Sequence, residues 1–413
     1  MAMNDKGNEY MADATFQQRL EEYARWFHQH PEASYHEFQT TNKIRGILDE
    51  AGIDVLDSGL ETGLIARIDG TASSQESEHV VAIRGDIDGL PIEEDTGLPY
   101  ASVNKGFLHG CGHDYNMTVA LGAALWLHER RHDFAGTVKV IFQPAEEVSA
   151  DKDTPTGAVA VLNTGMLDDV EAFFGTHDTN LAQPGECLIG AGPQSGAVDK
   201  FHVTVRGDGS HAARPHLGIS PIRPAIAIVD GIETISSKTV DPTHPRAISI
   251  THIEAGSTWN VIPSEAFLEG TVRTAYSRDR VLIHDRIQSI VNGVALAYGV
   301  AADFDWEYGS PAVTNDETWT GTAREAAEDL GFVVNDPAPS LEGEDFSYYQ
   351  DHAPGVFVYL GVGNADRPMH GGTFYPRLDA LAQGACLLAR IATSALSRME
   401  RMTDATKEGK LDV

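Results

Sequence analysis

The chain has 413 residues, 42% of them hydrophobic and 8% aromatic, with 61 acidic against 30 basic residues and a formal charge of −31. That length exceeds one ordinary core and predicts two domains. The acidic balance excludes nucleic acid and anionic membrane surfaces, which require basic patches. Apolar runs long enough for a transmembrane helix are absent, and the stretch from Met1 to Trp26 lacks the apolar core of a signal peptide. Cys111, Cys187 and Cys386 are far apart and read as reduced thiols of a cytoplasmic protein.

In chain order, residues 16–51 show helical spacing broken by "HQHPEAS", where Pro31 stops the helix. Short apolar runs at 79–85, 137–143, 171–177 and 355–361 predict strands, with helical patterns at 117–130 and 156–167 between them. This alternation predicts an α/β layer architecture. The middle of the chain reads strand 200–207, helix 219–237, strands 246–256 and 265–274, helix 279–299 and strand 301–309. That β-α-β-β-α-β order is ferredoxin-like. The economical division is a first domain at 1–194, resumed at 311–413, with an inserted α+β domain at 195–310. The polar tail from Thr403 is predicted to fray.

Polar groups follow the predicted strands: "RGDIDGLP" after the first, "PAEE" after the second and His177 at the end of the third. Open α/β sheets build sites beyond the carboxyl ends of their strands, so these groups are expected to converge. "HGCGHD" places Cys111 and His113 two positions apart, and a thiolate with an imidazole suits zinc or a similar ion. Alone, the pair reads more readily as a buried cysteine beside a structural histidine, and the flanking His109 and Asp114 shift the balance toward metal. Asp114 is a candidate acceptor for a ligating imidazole. Glu146 and Glu147 can divide labour, one holding metal and the other taking a proton, although acidic pairs also occur on solvated helix starts. His177 and His370 complete five donors, enough for two ions sharing ligands. Asp86 and Asp88 either orient the ligand loop, contribute an oxygen donor, or form a turn.

The series "WFHQHPEASYHEF", "RGDIDGLPIEEDTGLPY", "HGCGHD", "FQPAEE", "GDGSHAARPH", "NVIP" with "GTVRT", and "GEDFSYY" resembles the amidohydrolase subfamily of the aminoacylase and carboxypeptidase metallopeptidases. Hippurate hydrolases, N-acyl-amino-acid amidohydrolases and indole-acetyl-amino-acid hydrolases are members. The resemblance implies a metallopeptidase-type mixed sheet flanked by helices, with the inserted domain acting as lid and homodimer interface. It implies Cys111, His113, Glu147, His177 and His370 as metal ligands and Glu146 as general base and acid. His211 and Asn260 correspond to residues that hold the oxyanion in a partner's site, and Arg273 to the group that grips a substrate carboxylate. Asp86 and Asp114 are expected behind the ligands. One or two divalent ions are implied, zinc or manganese first, with cobalt or nickel accepted.

Three departures lie at the centre or its rim. Subfamily members often carry a second histidine where this chain has Asn116, beside Tyr115; "HDTN" puts Asp178 next to His177; and "MHGGTFYP" has two glycines after His370. Asn116 and Asp178 are expected to make the pocket wall more polar. The expected reaction is hydrolysis of an amide C–N bond in a small carboxylate-bearing substrate. The alternatives are hydrolytic deamination of an electron-poor aromatic amine, such as a nitro-aminobenzoate, and a non-catalytic binding relative. Retention of Glu146 beside Glu147 argues against the last.

Overall fold

A computed structural model describes residues 14–72, 77–148 and 154–407. The expectation about a leader peptide falls partly on residues outside these ranges, as does the end of the tail. The chain forms two compact units: Met1–Gly192 with Thr314–Pro337 and Tyr348–Val413, and Pro193–Val313 with Ala338–Ser347.

The first unit is built on an eight-stranded mixed sheet. Its strand order is Asp54–Val55, Leu64–Asp69, Thr137–Gln143, Val80–Asp86, Ala172–Thr179, Gly355–Gly361, Glu186–Leu188 and Val333–Asn335. Val80–Asp86 lies at the middle, parallel to both Thr137–Gln143 and Ala172–Thr179. All three strands are buried along their whole length, which explains their continuous apolar runs in place of alternation. Helices cover the sheet, as the α/β reading requires. His113–Glu129 is buried from His113 to Leu127; after its polar first turns it is accordingly apolar all round from Val119 to Leu127. Its Gly122 is a close-approach site: a Cβ there would meet Ala385 Cβ at 2.7 Å and Leu20 Cδ1 at 2.9 Å. The helices Ala14–Gln29 and Leu381–Lys407, which carry those neighbours, therefore pack directly on it. Leu381–Lys407 runs five residues further than the fraying predicted from Thr403 allows. One reason is the hydrogen bond between Thr403 Oγ1 and His79 Nε2, at 3.0 Å.

The second unit carries a four-stranded antiparallel sheet ordered Arg246–Ala255, Glu265–Thr274, Ala197–Arg206, Ala301–Tyr308. Numbered along the chain, that spatial order is 2-3-1-4, which read from the other edge is the ferredoxin-like 4-1-3-2. Ile228, Ile232, Ile283, Ile287 and Val291 from helices Ile222–Glu233 and Ser277–Tyr298 pack against Phe201, Val203, Leu268 and Val272 of the sheet. The unit also takes up residues 338–347, which sequence reasoning assigns to the other domain. The segment lacks periodicity to betray this. It is held by the Gly196 N–H, which donates to Glu342 O at 2.9 Å, and by Gly343 packing on Val198.

Candidate metal centre

Parallel pairing places the ends of three strands of the first unit side by side, and each end contributes chemistry. Asp86 closes Val80–Asp86, Thr137–Gln143 runs into Pro144-Ala145-Glu146-Glu147, and His177 lies near the end of Ala172–Thr179. Cys111 sits in the loop before helix His113–Glu129. Gly112 turns that loop with a left-handed φ of 77°, so that His113 opens the helix. The His370 N–H donates to Gly110 O at 2.7 Å, which pins the "MHGG" turn against the cysteine loop.

These connections bring five expected donors together. Cys111 Sγ lies 3.3 Å from His370 Nε2 and 3.6 Å from His177 Nε2. Glu147 Oε1 is 3.5 Å from His370 Nε2 and 4.0 Å from His113 Nε2. Glu146 Oε2 stands 4.0 Å from the same His113 nitrogen. Three groups each have their ligand atoms within 4.8 Å of one another: Cys111, His113 and His177; Cys111, Glu147 and His370; His113, Glu146 and Glu147. Two of the groups share Cys111, which suits a pair of neighbouring ions.

Charge accumulates in this cluster. Burial alone raises the Cys111 thiol, yet His177, His113 and His370 around it hold it well below its ordinary value. Burial opposes charge on His113 and His177, but Asp86 and Asp88 beside the first, and Cys111 and Asp178 beside the second, hold both well above theirs. Burial and the Cys111 thiolate push the Glu147 carboxyl up. A bound cation would take over the place of the protons that these imidazoles otherwise hold beside the thiolate. Among the described residues, His113 Nε2 and Glu147 Oε1 are buried without a hydrogen-bond partner, a costly state for polar atoms unless an ion completes them. The donor set therefore fits a divalent transition metal.

The supporting layer differs in part from the expected one. The acceptor behind His113 is Asp88: His113 Nδ1 lies 2.9 Å from Asp88 O and 3.2 Å from Oδ1. Asp88 Oδ2 accepts from Ser34 Oγ at 2.6 Å and from the Glu147 N–H at 3.1 Å. Asp114 does not face the ligands' ring nitrogens. One helix position after His113, it points about 100° away and meets His28 Nδ1 at 2.7 Å. Asp86 is held by Arg84 and accepts from Asn116 Nδ2 at 3.0 Å, and the Asn116 Oδ1 accepts from the Asp178 N–H at 2.9 Å. Asn116 and Asp178 are each 1% exposed. They therefore lie beneath the ligands, not on a pocket wall, which corrects the expectation of a more polar wall. The sequence names Asp88 together with Asp86 as a residue that orients the ligand loop, and its position two residues beyond Asp86, on the same side of an extended chain, agrees with the contact it makes to His113.

The second unit carries the remaining expected residues. His211 pairs with Val261 across a two-stranded ladder, and the Ala212 N–H donates to Asn260 O at 3.1 Å, so His211 and Asn260 are neighbours. His211 is exposed and its Nδ1 accepts from the Ala213 N–H at 3.1 Å. Arg273 is half-buried on Glu265–Thr274, opposite Val198 and Ala247. Burial draws its pKa down while Asp199 raises it.

The model of peptidase family M20/M25/M40 matches residues 82–394 of this chain. The N-acetylcysteine deacetylase of Bacillus subtilis (strain 168) is 39% identical over 391 residues, covering 94% of this chain and 100% of that protein. The N-acyl-L-amino acid amidohydrolase of Geobacillus stearothermophilus is 35% identical over 296 residues, or 71% of this chain and 78% of that one. Among solved structures, the Bacillus subtilis YXEP protein, a dinuclear metal-binding peptidase from the M20 family, superposes with a TM-score of 0.83. Its identity is 38%, and the match covers 93% of this chain and 99% of that one.

Proposed function

The chain belongs to peptidase family M20/M25/M40, and from that premise we propose that it hydrolyses the amide C–N bond of an N-acyl amino acid. The observation that carries this reading is Glu146 standing beside a cluster of one thiol, three imidazoles and one carboxylate. Cys111, His113, Glu147, His177 and His370 would hold one or two divalent ions, zinc or manganese first and cobalt or nickel as substitutes. Bound there, the metal supplies Lewis acidity toward a carbonyl oxygen and makes water a better acid. Glu146 accepts the proton that the attacking water gives up and returns it to the departing nitrogen. Asp88 fixes the ring of His113 and the backbone of Glu147, so the two carboxylates of the pair keep separate tasks.

His211 and Asn260 are assigned to oxyanion stabilisation and Arg273 to the substrate carboxylate. We further propose that a second copy of the chain pairs through the second unit. Supporting this, the ten-residue strand Arg246–Ala255 lies at the edge of its sheet, with Ile253 58% exposed. Exposed strand edges are templates for pairing. The nearby Trp259 is 92% exposed. All three cysteines are free, which supports a reducing compartment such as the cytoplasm.

The aromatic-amine alternative drew on a polar pocket wall, and the burial of Asn116 and Asp178 removes that support. Metal-loaded protein incubated with N-acetyl, N-benzoyl and indole-acetyl amino acids, and separately with nitro-aminobenzoates, tests the proposal. Release of free amino acid is expected. Turnover of the aromatic amines alone would overturn the amide reading.

A further inference from the structure

The segment "HPEASYHE", His30 to Glu37, supplies none of the expected metal donors, yet Glu37 ends on the turn that carries Glu146 and Glu147, and Ser34 ends on Asp88, which holds that turn from outside. Ser34 Oγ donates to Asp88 Oδ2 at 2.6 Å, the oxygen that also accepts the Glu147 N–H. Glu37 is fully buried, and its Oε1 accepts from two backbone amides, Tyr35 at 2.9 Å and Ala145 at 2.8 Å. Both donors are non-glycine residues in the left-handed region, with φ of 62° and 50°. Such residues persist there only when their surroundings hold them. On the other side of the turn, the Gly157 N–H donates to Ala145 O at 2.9 Å. Ala145 is thus gripped at both of its backbone polar groups, and it immediately precedes Glu146.

We propose that Glu37 is a positioning residue for the reaction: by holding Ala145 in its left-handed turn, it aims Glu146 at the water to be deprotonated. The proposal rests on the reading of Glu146 as proton carrier and of Glu147 as metal ligand. Glu147 keeps its own backbone tie to Asp88, so loss of Glu37 misdirects Glu146 while the ion stays bound. Glutamine preserves the accepting oxygen at the same reach; aspartate falls one methylene short; alanine removes the acceptor.

The test is a set of variants assayed on the best N-acyl amino acid for kcat, KM and metal content. Glu37→Ala is expected to lower kcat about 10–100-fold, the scale of a small misplacement of a reacting group, with KM and metal content near wild type. Glu37→Gln should retain most of the activity. Ala145→Gly, which enters the left-handed region without strain, should restore at least about tenfold in kcat to Glu37→Ala but add nothing to wild type, a coupling that a double-mutant cycle isolates. A merely structural Glu37 would instead lose thermal stability and metal together, with no rescue by Ala145→Gly. Should Glu37→Ala fail to fold, Glu37→Asp with and without Ala145→Gly asks the same question. Activity remaining in Glu146→Gln would sink the catalytic reading itself. A dead Glu146→Gln beside a fully active Glu37→Ala, or a loss that Ala145→Gly leaves untouched, would sink the role of Glu37 alone.

Discussion

Cys111 Sγ and His370 Nε2 lie 3.3 Å apart although 259 residues separate them in the chain. The contact joins the loop before helix His113–Glu129 to a glycine-rich turn near the far end of the chain. Cys111→Ser keeps the shape and removes the soft donor. Losing residues behind a metal typically costs 10–100-fold in affinity, so losing a direct ligand is expected to cost at least on the order of 100-fold. Chelator competition measures the affinity. The cobalt-loaded wild type should also show a thiolate charge-transfer band that the variant lacks.

Glu146→Gln is expected to lower kcat by about 10²–10⁴, the usual contribution of a positioned acid–base group, and to leave the ion in place. Metal quantified by mass spectrometry beside steady-state rates separates the two effects. Near-wild-type turnover would remove Glu146 from the mechanism.

His28 offers a pH signature. Burial opposes its charge, but hydrogen bonds to Asp114 and Glu94 outweigh that and raise its pKa from 6.5 to about 9. The Tyr100 ring packs edge-on against it. Because the folded value is the higher one, the protonated ring stabilises the fold fully below about pH 6.5, and this is lost as pH rises through about 9. The shift corresponds to at most ~3 kcal/mol. His28→Gln should therefore unfold at a lower temperature than wild type at pH 6, with the gap closing by pH 10. A gap that stays constant over that range would contradict the assignment.

Gly112→Ala should be poorly tolerated for a stated steric reason. The residue has φ of 77°, and a Cβ would stand 2.0 Å from Asp178 Oδ1. Left-handed strain and the displaced carboxylate together predict a loss of ~2–4 kcal/mol. Thermal denaturation of the metal-free protein reads this without interference from the ion.

His211→Ala is expected to impair turnover without reducing metal content. Mixing it with Glu146→Gln should regain part of the activity if a partner's second unit completes each site. Verified mixed dimers with no recovery would count against the shared arrangement.

The sheet strands were legible because buried parallel strands write themselves as unbroken apolar runs. The convergence of the candidate donors was legible because Cys111, Glu147, His177 and His370 sit where strands or glycine turns end. What stayed hidden was direction. Asp114 adjoins a ligand in sequence, but the helix rotates it toward His28, whereas Asp88, 25 residues before His113, supplies the acceptor. Asn116 and Asp178 look like wall residues in one dimension, and only the packing of helix His113–Glu129 against strand Ala172–Thr179 shows that they bond to each other under the ligands. The assignment of 338–347 to the second unit rests on backbone hydrogen bonds, which side-chain patterns do not encode.

The five donors are unequal in their access to water. The His113 side chain is 1% exposed, that of His177 9% and that of Glu147 16%, whereas that of His370 is 55% exposed on a turn followed by two glycines. One outward side chain among inward ones would give solvent an exit route for an ion that leaves the core untouched. Loading and unloading should then proceed at the pace of one imidazole swinging aside. The metal the protein carries would follow the supply around it rather than what it met while folding.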